Sequence, residues 1–259
     1  MPDHLSKFFK LEGKVAAVIG AGGYLCSEMV LGLGRCGVKV ALLDKNKDHL
    51  KNVAQKIQEV TADVIEISLD ATQKEDHEQA LRAILKEFKT VDILINGVGI
   101  NAPTSFFDIT LGEWHSILEA HITATFLACQ VFGRHMVEQK KGSIINMSSA
   151  SSGPPLSKAF TYSVAKAGIK NLTQNLAREW APYGVRVNAL RPGFFPTQWS
   201  MKHFIDKKRE EAILGHTPMR RYGRPQELVG AVLWLSSEAA GFVTGAEIAV
   251  DGGFSCMTI

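Results

Sequence analysis

Short apolar runs alternate with amphipathic stretches along the 259 residues of this chain. The runs are rich in Val and Ile and nearly continuous in hydrophobicity, which is typical of strands covered on both faces. Seven runs are predicted as strands: 15–19, 38–43, 63–67, 91–95, 143–146, 185–190 and 247–250. Between them, apolar residues recur at helical spacing and predict helices over 24–36, 47–59, 73–88, 112–139, 160–181 and 225–237.

The alternation of strands and helices predicts the fold class. Successive strands joined through a helix cross over in the right-handed sense and build a parallel sheet. We therefore expect an α/β protein with a single doubly wound, parallel seven-stranded sheet and helices on both faces, the Rossmann fold. Residues 1–259 should form a single domain, because no low-complexity linker interrupts the pattern.

One segment, residues 191–224, departs from the alternation. Prolines and glycines interrupt it, and it carries only a short helical pattern over residues 202–214. It follows a strand end, where open α/β sheets bind their ligands. A loop of this length within a compact domain is usually functional, so we expect a substrate lid. A surface excursion at a subunit contact is the alternative.

Composition and charge exclude several classes of protein. The net charge is +3 and basic residues are scattered among acidic ones, unlike a nucleic-acid-binding surface. No apolar run reaches the roughly 18 residues that span a bilayer, and residues 1–10 lack the apolar core of a signal peptide. The four cysteines form no C-x-x-C pair, and the eight histidines form no H-x-x-x-H or H-E-x-x-H motif. We therefore expect a cytoplasmic protein with reduced thiols, and nothing in the sequence proposes a metal, nucleic acid or membrane as a partner.

A glycine-rich turn follows the first predicted strand and runs into the next helix. Gly20, Gly22 and Gly23 lie in this turn, and Tyr24 and Leu25 begin the helical pattern. Glycines let backbone amides approach a pyrophosphate closely, and the helix N-terminus adds partial positive charge. The turn therefore predicts a nucleotide site, although a tight turn without a ligand has the same composition.

Asp44 closes the second predicted strand, 24 residues after Gly20. A carboxylate at this place accepts hydrogen bonds from the hydroxyls of the adenine ribose and repels a 2′-phosphate. The pattern therefore favours NAD over NADP, while Lys45 and Lys47 weaken the preference. An aspartate that only caps a helix or a turn is the alternative.

Tyr162 and Lys166 are four residues apart in a predicted helix, so their side chains share one face. The pKa of a phenol is about 10, and a nearby ammonium should lower it toward the working range of a base. Ser149 ends the fifth predicted strand and could donate a hydrogen bond to a carbonyl oxygen. The three residues predict the proton-transfer centre of a nicotinamide-dependent oxidoreductase. For Ser149, a polar turn that closes the strand is the alternative.

Several motifs occur together in the order and spacing of one known family. They are the glycine turn at 20–23, Asp70-Ala71, Asn96-Gly97-Val98-Gly99, Ser149, Tyr162 with Lys166, Pro192-Gly193 with Thr197, and Val250-Asp251-Gly252-Gly253. On these residues the chain resembles the short-chain dehydrogenases/reductases, from about Leu11 to Phe254.

The resemblance implies further cofactor contacts and an assembly. It implies that Asp70 contacts adenine and that Asn96 lines the cofactor pocket. Pro192, Phe195 and Thr197 would hold the nicotinamide carboxamide, and Lys166 would bond the nicotinamide ribose. The remaining cofactor-binding residues that it implies are Ala71, Gly97, Gly193 and Tyr162. The family is usually tetrameric. A homotetramer is therefore implied, built through residues 112–139 and 160–181.

Departures from the family pattern concern the glycine turn and the proton relay. Tyr24 and Cys26 stand where the family has its second and third glycines, and Ile19 stands where it has threonine. The family's N-N-A-G reads Asn96-Gly97-Val98-Gly99, and His121 replaces an asparagine that holds a relay water. The imidazole could be a catalytic group in the relay, could titrate near neutral pH, or could be a structural histidine that faces a partner helix.

The expected activity is hydride transfer between NAD(H) and a secondary alcohol or ketone of a small-molecule substrate. Pro192-Gly193-Phe194-Phe195 and Thr217-Pro218-Met219 resemble sugar-acid and polyol oxidoreductases such as gluconate 5-dehydrogenases and mannonate oxidoreductases. Apolar side chains in the lid segment, such as Phe204, leave a 3-oxoacyl reductase as an alternative. The altered glycine turn leaves a second alternative, a degenerate member that binds a nucleotide or a protein without catalysis.

Overall fold

One parallel sheet contains all seven strands in the computed structural model, which describes residues 3–61 and 63–257. The strands are β1 (Val15–Ile19), β2 (Lys39–Asp44), β3 (Val64–Ser68), β4 (Ile93–Asn96), β5 (Gly142–Met147), β6 (Val185–Pro192) and β7 (Glu247–Val250). Their order across the sheet is β3-β2-β1-β4-β5-β6-β7, and every neighbouring pair is parallel. The order reverses between β1 and β4, which confirms the predicted doubly wound sheet.

Helices cover both faces of this sheet. The described α-helices are α1 (Asp3–Phe8), α2 (Tyr24–Arg35), α3 (Lys47–Gln58), α4 (Lys74–Phe88), α5 (Leu111–Leu118), α6 (Ala124–Glu138), α7 (Phe160–Trp180), α8 (Gln198–His203), α9 (Lys207–His216) and α10 (Val229–Ser236). Within the described residues, no helix has the length and apolar character to cross a membrane.

Each face of the sheet has its own core, because alternate residues of a strand point to opposite sides. Ala16 and Val18 of β1 pack with buried side chains of α2, α3 and α10. The other three residues of β1 pack with α4, α6 and α7 on the opposite face. All residues of β1 and β4 are buried, and Ile19 pairs with Asn96 where the two strands end. The cores thus fix the carboxyl ends of β1 and β4 side by side.

Three predicted helices differ from the structure. The helix predicted over 225–237 begins as a 3₁₀ turn, Pro225–Leu228, and continues as α10. The helix predicted over 112–139 consists of α5, a π-helical turn at Glu119–Thr123, and α6. The single helix predicted over 202–214 is wrong, because α8 ends at His203 and α9 begins at Lys207. Asp206 separates the two helices, since its carboxylate caps α9 by accepting a hydrogen bond from the Arg209 amide at 2.8 Å. β6 also runs to Pro192, so the irregular segment begins at Gly193.

Candidate active site

A cavity of about 490 Å³ lies where the carboxyl ends of β1, β4, β5 and β6 meet, beside the reversal of strand order. Most of the predicted site residues line this cavity: Gly23, Tyr24, Leu25, Gly97, His121, Ser149, Tyr162, Lys166, Pro192, Gly193, Phe195 and Thr197. The others, Gly20, Gly22, Asp44, Asp70, Ala71 and Asn96, are not among the described residues that line it.

The glycine turn folds back on the end of β2 and leaves the start of α2 open to the cavity. Gly20 has a φ of +79°, which favours glycine, and its amide donates to the Leu43 carbonyl at 2.7 Å. Gly23 precedes α2 and offers no side chain to cap it. The first amides of α2 therefore point, uncapped, toward the cavity that Gly23, Tyr24 and Leu25 line. This arrangement fits the pyrophosphate of a dinucleotide.

Cys26 does not crowd the glycine turn, because Gly97 leaves space for its side chain. A Cβ built on Gly97 would lie 2.1 Å from the Cys26 Sγ. The thiol is buried, and burial raises its pKa to about 12. Cys26 in place of the family's glycine and Gly97 in place of its asparagine are therefore complementary substitutions. Tyr24 is 48% exposed, so its side chain lies largely at the surface.

The ends of β2 and β3 carry the groups predicted for the adenosine half of a dinucleotide. The Asp44 carboxylate accepts hydrogen bonds from the amides of Gly22, at 3.0 Å, and Asn46, at 2.9 Å. Lys45 does not stand beside Asp44 as an unpaired cation, because its Nζ binds the Asp70 carboxylate at 2.7 Å. Hydrogen bonds from Lys45 and Thr72 lower the pKa of Asp70 to about 2. Asp70 is thus an anion whose oxygens are already partnered.

Ser149, Tyr162 and Lys166 converge on the cavity from the end of β5 and the first turns of α7. The Lys166 Nζ donates to the Met147 carbonyl at 2.6 Å and lies 5.5 Å from the centre of the Tyr162 ring. Burial lowers the pKa of Lys166 to about 7. The predicted lowering of the pKa of Tyr162 by Lys166 is not what the structure shows. Burial raises that pKa instead, and a hydrogen bond with Ser149 opposes the rise.

His121 lies in the π-helical turn and contacts the ring of Tyr162 edge to face, with ring centres 5.1 Å apart. Its Nε2 lies 2.7 Å from the Ile100 carbonyl and 3.1 Å from the Ile100 amide, and the shorter contact favours Nε2 as the donor. Nδ1 is then a buried acceptor without a protein partner among the described residues. Burial, followed by the charge of Lys166, lowers the pKa of His121 to about 3. A pKa this low does not fit titration near neutral pH, which was one of the alternatives from the sequence.

The side chain of Asn96 turns away from the cavity into the core. Its amide nitrogen donates to Asn146 at 2.8 Å, and Asn146 in turn donates to Thr173 at 2.9 Å. This buried chain of hydrogen bonds joins β4, β5 and α7. In this structure Asn96 thus holds the strand ends in place.

A buried carboxylate behind the loop of Ser149 was not predicted from the sequence. Glu247 of β7 accepts hydrogen bonds from Ser148 and Ser152, both at 2.6 Å, and from Arg191 at 2.9 Å. Burial alone would raise its pKa, but these hydrogen bonds reverse the effect and hold the pKa below its usual range. The contacts flank Ser149 on both sides and fix its loop. No local pattern signals them, because 99 residues separate Ser148 from Glu247.

Comparison with known proteins identifies the family. A family model described as enoyl-(acyl carrier protein) reductase matches residues 25–255. An uncharacterized oxidoreductase, UxuB, of Bacillus subtilis (strain 168) is 37% identical, with 94% of this chain and 95% of that protein covered. The 5-keto-D-gluconate 5-reductase of Escherichia coli (strain K12) is 30% identical, with 96% and 98% covered.

Solved structures give the same result. A gluconate 5-dehydrogenase from Burkholderia cenocepacia J2315, in complex with NADP and tartrate, has a TM-score of 0.93 at 26% identity, covering 98% of this chain and 100% of that one. An NAD⁺-bound xylitol dehydrogenase has a TM-score of 0.90 at 28% identity, covering 94% and 100%. With the site described above, these relationships make the chain a member of the short-chain dehydrogenase/reductase family, an NAD(P)-dependent oxidoreductase that acts on CH–OH groups.

Proposed function

We propose that the protein transfers hydride between NAD(H) and a secondary alcohol or ketone of a sugar acid or polyol. The observation that carries the proposal is the convergence of Ser149, Tyr162 and Lys166 on a cavity that also receives the uncapped start of α2. The names of the relatives support the substrate class, since they include a 5-keto-D-gluconate 5-reductase, a gluconate 5-dehydrogenase and a xylitol dehydrogenase.

The catalytic side chains divide the proton chemistry among them. In the oxidation of an alcohol, Tyr162 as its phenolate accepts the proton of the substrate hydroxyl. Bound nicotinamide would take up the hydride from the carbon that bears this hydroxyl. The Ser149 hydroxyl donates a hydrogen bond to the substrate oxygen, which becomes the carbonyl oxygen. Lys166, when protonated, supplies positive charge beside the phenolate. With its pKa lowered to about 7, Lys166 can gain and lose a proton in the working range of such an enzyme.

His121 acts in this proposal as a neutral hydrogen-bond acceptor next to the proton path. Its unpartnered Nδ1 and its edge contact with the Tyr162 ring support this role. Because the pKa of His121 is about 3, the imidazole does not exchange charge with the solvent at neutral pH. It orients a hydroxyl or a water rather than storing a proton.

NAD is the proposed cofactor, with NADP as the weaker ligand. The Asp44 carboxylate stands at the end of β2, where a 2′-phosphate would meet like charge. Of the two cations that could offset this repulsion, Lys45 and Lys47, the first is paired with Asp70. Binding of NADH and NADPH, followed by nicotinamide fluorescence, tests the preference. NADH should bind more tightly, and Asp44→Ala should reduce that preference; tighter binding of NADPH to the parent protein would contradict it.

The segment after β6 is proposed as the substrate lid, and the proposed assembly is a homotetramer. Phe204, at the end of α8, lines the cavity, which supports the lid. Exposed apolar side chains on the outer faces of α6 and α7, Phe126 and Val164, support burial of these helices against another subunit. Light scattering of the purified protein tests the tetramer.

A 3-oxoacyl reductase remains the second candidate, because apolar side chains such as Leu156 and Ile205 line the cavity. Some apolar side chains of the lid, however, pack against other residues of the protein. The Phe194 ring packs on Phe254 with centres 5.2 Å apart, and Phe195 fills the space that a Cβ on Gly223 would take.

Reduction of NAD⁺ in the presence of six-carbon sugar acids, polyols and a 3-hydroxyacyl thioester separates the candidates. Turnover of the sugar acids or polyols supports the proposal, and turnover of the thioester alone overturns it. Tyr162→Phe is the control, since it should abolish turnover and leave NADH binding nearly unchanged.

A further inference from the structure

The charged side chains among the described residues that line the active-site cavity are all basic. None of the described residues that line the cavity is an aspartate or a glutamate. Two cationic side chains line it, Lys166 and Arg209. Lys166 belongs to the catalytic group and is tied to the Met147 carbonyl. Arg209 therefore lies in the cavity wall without a catalytic task and without a carboxylate facing it across the cavity.

Arg209 belongs to the lid but is anchored outside it. It lies on α9, and its guanidinium donates to the Ser157 hydroxyl at 2.9 Å and to the Ser157 carbonyl at 2.8 Å. Ser157 follows Leu156, another residue of the cavity wall, in the loop between β5 and α7. These two bonds use two of the five N–H groups of the guanidinium, so the side chain is held in one orientation with donors to spare.

The charge of Asp206 acts on Arg209, but the hydrogen bonds of this carboxylate go to other groups. Asp206 caps α9 through the Arg209 amide, and its other oxygen binds Lys158 at 3.3 Å. Asp206 is not among the described residues that line the cavity. The local balance of Lys158, Asp206 and Arg209 is thus one net positive charge, with the guanidinium as the part that reaches the cavity.

A planar guanidinium with unused donors, in a cavity wall without acidic groups, recognises a carboxylate best, because the two planar groups can form parallel hydrogen bonds. We propose that Arg209 binds the substrate carboxylate, so that the natural substrates are sugar acids and not neutral polyols. The inference rests on the proposed function and narrows its substrate class. Arg209 is a specificity-determining residue in this scheme, while Ser149, Tyr162 and Lys166 carry out the chemistry.

Matched pairs of substrates test the inference. D-Gluconate, D-mannonate and D-galactonate are compared with D-glucitol, D-mannitol and galactitol, each with NAD⁺, in the parent protein, Arg209→Gln, Arg209→Lys and Lys208→Gln. Lys208 is an exposed cation next to Arg209 on α9 and is absent from the cavity wall, so it serves as the matched control.

The parent should use at least one acid better than its matching polyol. Arg209→Gln should raise KM for that acid by about 10- to 100-fold, the range expected for a charge-assisted hydrogen-bonded pair, with a smaller effect on kcat. Arg209→Lys should recover part of the loss, and Lys208→Gln should resemble the parent. NADH affinity should be the same in all four proteins.

The other outcomes overturn either the inference about Arg209 alone or the proposed substrate class as well. Equal use of acids and polyols by the parent, or equal losses for both in Arg209→Gln, means that Arg209 only latches the lid; the inference then fails and the proposed function stands. Absence of turnover with every acid and polyol, while NADH still binds, overturns the proposed substrate class and the inference with it.

Discussion

The complementary pair Cys26 and Gly97 allows a direct test of how this chain keeps its nucleotide turn intact. Gly97→Ala places a Cβ 2.1 Å from the Cys26 Sγ, a distance that no relaxed contact reaches. Cys26→Ala removes that sulfur and leaves its own Cβ 3.8 Å from the new methyl group, an ordinary van der Waals distance, while the Ile19 carbonyl oxygen stays a tighter neighbour at 3.2 Å. The double variant should therefore be better packed than the single variant Gly97→Ala.

The expected magnitudes follow from packing. Gly97→Ala alone should cost about 1–3 kcal/mol of unfolding free energy, the usual range for an overpacked core. Cys26→Ala alone should cost about 1 kcal/mol, since it removes one buried atom and leaves a small void. In the double variant the added methyl group takes the place of the removed sulfur, so we expect a favourable coupling of about 1–2 kcal/mol.

Urea unfolding of the parent, both single variants and the double variant gives the coupling directly, provided that all four are measured at one protein concentration. Gly230→Ala is the control, because a Cβ there meets no atom within 4 Å. It should be neutral or slightly stabilising. NADH affinity should fall in Gly97→Ala and recover in the double variant. Strict additivity of the two single effects would refute the assignment of Cys26 and Gly97 as a compensating pair.

Three further predictions concern buried polar groups. Lys166→Met should be inactive but more stable than the parent, because the parent bears the full cost of a buried ammonium below pH 7. That cost fades as pH rises toward 10.5. The difference in stability, measured by urea unfolding, should therefore be largest below pH 7, and a difference that widens with rising pH would contradict the reasoning. Glu247→Gln should lose about 3 kcal/mol near neutral pH, against about 0–1 for the exposed Glu238→Gln. Since the folded-state pKa of Glu247 is lowered, its stabilisation is lost as pH falls through that pKa, so parent and variant should converge in acid. His121→Asn should leave the pKa values of the pH–rate profile unchanged; a profile that shifts near neutral pH would show that the imidazole does titrate.

The strands and most helices could be predicted from the sequence because their signals are local. Strands buried on both faces are continuous apolar runs, and the surface helices carry one apolar stripe each. The failures have local causes as well. Asp206 stops one helical pattern and caps the next, so residues 202–214 resemble a single helix although two are present. The residue pattern did not indicate the π-helical turn that contains His121, whose side chain contacts Ile100 in a different loop.

The convergence of Tyr162 and Lys166 was predictable for a different reason. Tyr162 and Lys166 are one helical turn apart, so their spacing alone brings them together. The supporting groups were not, because they come from distant parts of the chain. Glu247 reaches the loop of Ser149 from the last strand, and Arg209 reaches Ser157 across 52 residues. Such contacts follow from strand order and from the path of the segment after β6, which the residue pattern does not determine.

The departures from the family pattern suggest a degenerate site only when each is considered alone. The Cys26 side chain needs space that a glycine would not need, and Gly97 on the opposite wall leaves that space free. A Cβ built on Gly99 would lie 1.8 Å from the His121 ring. The ring therefore fits only because residue 99 has no side chain. In both places a larger side chain faces a glycine, so the cavity wall is continuous. The geometry around Tyr162 and Lys166 thus survives the substitutions, as expected for a site that still binds a dinucleotide and transfers hydride.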